Sequence, residues 1–167
     1  MRHLKRSAGF VIMLLAANLV FAQNGTTPNL SYDFEQKRLE CLLALNKDSV
    51  VQTIAPNSEK YLLLDFSFVG CRGCMKELPK LDDLGQELKD KLDIVIVWNA
   101  ADYNFWKSYV INNYSRSGYI NLCDSEGTIS SALKLEVAPS YLLFDKEGQL
   151  LKQWKGRLPG SIKKYME

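Results

Sequence analysis

Residues 62–81 read LLLDFSFVGCRGCMKELPKL: an apolar run broken by Asp65, two cysteines three positions apart, then leucines at helical spacing. The run from Tyr61 to Phe68 has the near-continuous apolar pattern of a strand buried on both faces. Leu78, Leu81, Leu84, Leu88 and Leu92 recur every three or four residues and predict a helix running toward Leu92. Cys71 therefore follows a buried strand, and Cys74 lies in the first turn of a helix. Two cysteines at this spacing serve redox centres and zinc sites alike. A structural zinc site needs four ligands, whereas Cys41 and Cys123 stand alone and the single histidine is His3. The count favours redox chemistry. At a helix start, unpaired N–H groups and the helix dipole stabilise an anion, which lowers a thiol pKa from about 8.5 into a range of roughly 3.5 to 7.5. Arg72 adds a positive charge beside Cys71, weakened by solvent screening.

Working outward, residues 94–98 and 141–144 are further short apolar runs that predict buried strands, and residues 102–113 carry a weaker helical pattern. Strand, helix, strand implies parallel pairing and an α/β layout. Lys146, Glu147 and Gly148 separate two strand-like runs and predict a hairpin, so the sheet is expected to be mixed. Upstream, Phe34, Leu39, Leu42 and Leu45 fall roughly on one helical face and predict a helix, while the segment from Ser49 to Lys60 reads as an edge strand ending in a turn.

The first 22 residues place Arg2, Lys5 and Arg6 ahead of a 15-residue apolar stretch ending at Ala22, the layout of a secretory signal peptide. The stretch contains Asn18 and falls short of the roughly 20 residues that span a bilayer; an uncleaved signal would leave a membrane tether. The reading divides the chain into a signal over 1–22, a flexible polar leader over 23–31 and one folded domain over 32–167. Cleavage leaves 18 basic and 19 acidic residues, a net charge of −1, with no block of like charge that suits nucleic acid. It also removes His3, leaving no imidazole. Export to a periplasmic or extracellular compartment opens all four cysteines to disulfide chemistry. Cys41 and Cys123 could pair, act as exchange thiols or be buried as small apolar residues, and burial is the expectation.

These residues resemble the thioredoxin superfamily, in particular its exported TlpA/ResA-like thiol-disulfide oxidoreductases. The match rests on Asp65, six residues before Cys71; Glu77, three after Cys74; Pro79 within the helix; and the segment VAPSYLLFD, which is similar to the family's cis-proline segment. The resemblance implies a three-layer fold with a central mixed sheet flanked by helices. It implies a nucleophilic Cys71, a resolving Cys74, a buried Asp65 that helps deprotonate Cys74, and an acidic Glu77 near the site. It also implies a cis bond before Pro139, with Ala138 holding a substrate's backbone. Gly70, Arg72 and Gly73 depart from the usual tryptophan and Gly-Pro or Glu-Pro at those places, and bear on the redox potential.

The resemblance thus implies disulfide exchange with protein partners, as a reductase, by a monomer with no metal or organic cofactor, recharged by a membrane-bound electron donor. Two rivals share the fold: a peroxidase of the peroxiredoxin type, and a binding module whose disulfide is structural. The sequence leaves the substrate open. Glu77 could equally be a first-turn glutamate favoured by the dipole. Asn24, Asn29 and Asn113 fit the N-glycosylation pattern.

Overall fold

The computed structural model describes residues 31–166, so the signal segment and all of the leader except Ser31 lie outside the described residues. Eight strands form one sheet: β1 (Ser31–Asp33), β2 (Arg38–Leu45), β3 (Val51–Ile54), β4 (Tyr61–Phe68), β5 (Leu92–Asn99), β6 (Ile120–Asp124), β7 (Ser140–Phe144) and β8 (Leu150–Lys155). The strand order is β1-β2-β6-β5-β4-β7-β8, with β3 paired to β2. β4 pairs parallel to β5 and β5 parallel to β6. β7 is antiparallel to both β4 and β8, which makes the sheet mixed as expected.

Helix α1 (Arg72–Glu87) links β4 to β5, and the next link carries α2 (Tyr103–Trp106), a π-helical stretch (Lys107–Ile111) and α3 (Asn112–Tyr114). Leu78 and Leu81 of α1, with Trp106 and Val110, cover the sheet face bearing Leu63, Ile94, Ile96, Trp98, Tyr141 and Leu143. On the opposite face Leu62, Leu64, Phe66, Val95, Val97, Leu142 and Phe144 pack against Ile129 of α4 (Thr128–Ala132) and Leu133 just beyond it. Strand alternation explains the division: odd residues of β4 face α1 and even ones face α4. Asp65, two residues after Leu63, therefore points beneath α1, where Cys74 also lies.

The seat of α1 depends on glycine. A Cβ on Gly85 would lie 1.7 Å from the Gly118 carbonyl oxygen, and one on Gly118 would lie 2.3 Å from the Asp82 oxygen. The Asp82 carboxylate accepts a hydrogen bond from the Gly118 N–H at 2.8 Å, which locks the same contact. The turn between β7 and β8 is similarly crowded. Gly148 has φ +87°, and its oxygen accepts from Leu39 N at 2.8 Å, while Leu150 N donates to Lys37 O at 2.8 Å.

The segment expected as a helix over Phe34 to Leu45 is instead β1, a turn and β2. Asp33 Oδ1 accepts from Glu35 N and Gln36 N, both at 2.9 Å, and Lys37 takes φ 52°, so the chain reverses where helical continuation was read. Leu39 and Leu42 are both buried despite three-residue spacing because the β1–β2 register shifts between them: consecutive Tyr32 and Ser31 pair with Leu39 and Cys41, which leaves Glu40 as an extra residue that resets the alternation. That spacing imitates a helical face. The edge strand appears as β3, and the predicted hairpin joins β7 to β8. The leucine helix ends earlier than its periodicity suggests: Leu88 caps α1, and Leu92 opens β5.

Candidate active site

Strand β4 delivers the chain to a tight turn in which Gly70 has φ +85° and Cys71 N donates to Phe68 O at 3.1 Å. Cys71 is the N-cap of α1, with extended φ and ψ of −70° and 108°, and its Sγ accepts a hydrogen bond from Cys74 N at 3.1 Å. A cysteine in the N-cap position does with sulfur what serine or aspartate does with oxygen: it satisfies an orphan N–H of the first turn. The interaction strengthens when the sulfur carries charge. Here Cys71 and Cys74 are joined by a disulfide. Cys71 is partly exposed and Cys74 completely buried, so an incoming group can reach one sulfur and not the other.

The Ala138–Pro139 peptide bond is cis. Pro139 faces the cysteine turn: a Cβ placed on Gly73 would lie 3.7 Å from Pro139 Cδ and 3.9 Å from Cys71 Sγ. Both are ordinary contact distances. Ala138 is partly exposed beside this loop, and Arg72 projects into solvent.

Below the disulfide, Asp65 is fully buried. Ser67 Oγ donates to its Oδ1 at 3.1 Å, while Oδ2 has no hydrogen-bond partner among the described residues. Burial pushes the Asp65 carboxyl up to about 7, with the nearby Glu77 charge adding to the rise and the Ser67 hydrogen bond opposing it. A carboxyl with that affinity exchanges a proton near neutrality, which suits an acid–base role. Glu77 is also buried, at 7% exposure, and is anchored on both oxygens: Lys80 Nζ lies 2.9 Å from Oε1, and Leu158 N donates to Oε2 at 3.2 Å. Pro79, within α1, withholds one N–H from the helix ladder two residues further on.

The fold thus brings Cys71, Cys74 and Pro139 together just past the end of β4, with Asp65 further back on the strand beneath α1 and near Glu77, and with Arg72 and Ala138 on the rim. It leaves the other two cysteines elsewhere. Cys123, on β6, is 1% exposed, and burial pushes its thiol up to about 12; Cys41 is partly exposed on β2. The two are not bonded to each other. Among the described residues no group of three or more histidine, cysteine, aspartate or glutamate side chains is placed to hold a metal ion. Sequence reasoning overlooked Ser67, although period-two alternation puts it on the Asp65 face. It also overlooked Leu158, 81 residues from Glu77, and Tyr141, whose place opposite Asp65 depends on strand register.

A family model described as thioredoxin-like matches residues 58–150, from just before β4 to the start of β8. The thiol-disulfide oxidoreductase YkuV of Bacillus subtilis is 26% identical over 95 residues, which cover 55% of this chain and 64% of that protein. The chain thus spans somewhat less than two thirds of the length of this curated relative. Among solved structures, a putative thiol:disulfide interchange protein DsbE from Chlorobium tepidum superposes with TM-score 0.66 at 18% identity, covering 77% of this chain and 89% of that one. The thioredoxin domain of a thiol-disulfide oxidoreductase from Bacteroides vulgatus gives 0.65 at 20% identity, over 79% and 97% of the two chains. These similarities in structure speak to the fold. With more than half of its residues matched by the family model, and with a cysteine pair capping the helix that follows β4, the chain belongs to the thioredoxin-like family.

Proposed function

We propose that this protein is an exported thiol-disulfide oxidoreductase that reduces disulfides in partner proteins through Cys71 and Cys74. The observation that carries the reading is the placement of the pair: a reachable Cys71 sulfur at a helix N-cap, bonded to a buried Cys74 on the face that holds Asp65. A purely structural disulfide has no use for a buried carboxyl with near-neutral proton affinity beneath it.

In the reducing direction the Cys71 thiolate attacks one sulfur of a partner disulfide. A mixed disulfide forms, and the partner's other sulfur leaves as a thiolate and takes up a proton. Cys74 gives its proton to Asp65, and its thiolate attacks Cys71 Sγ. The Cys71–Cys74 bond forms, the partner's second thiol is released, and two electrons have passed to the partner. The oxidised form, the state seen here, is returned to the dithiol by a donor that supplies two electrons and two protons, which for an exported protein is a membrane-bound carrier. Ala138 and Pro139 hold the partner's extended backbone beside Cys71. Arg72 and Glu77 tune the thiolate, and the working unit is a monomer.

Replacing the resolving thiol tests the mechanism. The variant Cys74→Ser accumulates mixed disulfides that non-reducing gels resolve and mass spectrometry identifies, while Cys71→Ser loses exchange altogether. Turnover unchanged in either variant overturns the reading. The partners trapped by Cys74→Ser also identify the substrate.

A further inference from the structure

β4 and β7 run antiparallel with Asp65 directly opposite Tyr141, so the two side chains share the sheet face that lies under α1. Both residues have no solvent exposure. Each ends in a polar atom without a hydrogen-bond partner among the described residues: Oδ2 of Asp65 and the hydroxyl of Tyr141. Buried polar atoms are almost always satisfied, so two orphans on directly paired residues point to a shared partner. A single water between them would satisfy both, as buried waters do for otherwise unpartnered groups.

The other polar groups around Asp65 are already committed. Ser67, on the same strand, binds Oδ1. Glu77, from α1, is held by Lys80 and by Leu158 N. Tyr119, which precedes β6, donates its hydroxyl to Tyr114 O at 2.6 Å. From β5 the residue opposite Asp65 is the apolar Ile96. Two buried donors without a partner among the described residues remain in this core, Trp106 Nε1 and the Tyr141 hydroxyl, and only Tyr141 stands directly opposite Asp65 on a paired strand.

We propose that Tyr141 is a positioning residue, whose hydroxyl donates across one bridging water to Oδ2 of Asp65 and so sets the pH at which Asp65 accepts the Cys74 proton. The donor favours the ionised carboxyl, so its removal makes Asp65 hold its proton more tightly. This inference rests on the role proposed for Asp65, but its test does not need turnover.

The test follows the Asp65 carboxyl by carbon-13 NMR titration in the oxidised wild-type protein and in Tyr141→Phe. A hydrogen bond to a charged group is strong enough to move the midpoint upward by about one pH unit. The rising limb of the exchange rate against pH moves upward with it, a roughly tenfold loss of rate at a fixed pH below the limb. A fluorinated tyrosine at position 141, a more acidic donor, moves the midpoint downward, and this serves as the readout if Tyr141→Phe fails to fold. An Asp65 midpoint that stays put or moves the opposite way in the variant that folds overturns the inference. Failure of the Cys71 and Cys74 mechanism leaves the titration shift intact, so the two ideas fail separately.

Discussion

Replacing Asp65 with asparagine should make the protein more stable and less active, and the gain in stability should depend on pH. Burial raises the Asp65 carboxyl from 3.8 to about 7 in the folded chain. In the unfolded chain the group loses its proton near its ordinary value, so between roughly pH 4 and 7 the unfolded state binds fewer protons than the native one. Native stability therefore falls as pH rises across that window. The gap of about three units, at 1.36 kcal/mol each, makes the ionisable Asp65 cost about 4 kcal/mol above pH 7 and nothing below pH 4. Asparagine cannot ionise and escapes that cost, but its amide donor has to find an acceptor where Oδ2 has no protein partner among the described residues, an offset of about 1–3 kcal/mol. The expected outcome for oxidised Asp65→Asn is a gain of about 1–3 kcal/mol at pH 8 that disappears, or reverses, at pH 4. Urea unfolding of the oxidised proteins at pH 4, 6 and 8 measures it; with a slope of about 1–3 kcal/mol per molar, the shift is readily resolved. Disulfide exchange by the same variant should slow most near pH 7, where Asp65 would otherwise accept a proton. A variant less stable than wild type at every pH, or a difference that is flat with pH, refutes the account of Asp65 as a buried carboxyl with raised affinity.

Two further outcomes follow from packing. Gly85→Ala gains about 1 kcal/mol in helix propensity, but its Cβ would sit 1.7 Å from the Gly118 oxygen, so the backbone contact dominates. A net loss of about 2 kcal/mol or more is expected as a lower thermal midpoint; an unchanged or raised midpoint would show that the loop yields freely. Cys123, buried and with its thiol pushed up to about 12, should resist iodoacetamide in the native protein at pH 8 and react once unfolded. Mass spectrometry of the labelled protein reads this directly, and rapid native labelling of Cys123 would contradict its burial.

The chemistry of the site was more legible in the sequence than the framework behind it. β4, β5 and β7 announced themselves because strands buried on both faces are written as unbroken apolar runs. Leu78 and Leu81 marked the buried face of α1. The pair Cys71 and Cys74, Asp65 and the cis bond at Pro139 came from local pattern and from resemblance, and the fold gathers them in one place. The segment from Phe34 to Leu45 misled because Leu39 and Leu42 are buried three residues apart across a register shift in the β1–β2 pair, which no local periodicity records. The Asp33 turn was a readable signal, an aspartate that caps its own following N–H groups. Tyr141 and Leu158 were beyond reach for a different reason. Their contacts with the site depend on strand register and on a return of the chain from 81 residues away, properties of the whole fold.

The crowded turn at Gly148 has a consequence for the order in which the molecule can be completed. Hairpin tips are ordinarily the free ends of a sheet, tolerant of inserted residues. This one is a socket: Arg38 Nε donates to Glu147 O across 109 positions of sequence, and Gln149 Nε2 reaches Gln36 O across 113. A Cβ at position 148 would strike Leu39 O at 2.3 Å. β2 pairs early with β3, but the turn between β1 and β2 gains these contacts only once the β7–β8 hairpin has been made. The β1–β2 ribbon is held by the β7–β8 hairpin at the end of the sheet away from the cysteines, and a chain cut short before β8 would carry its cysteine pair but lack that clasp.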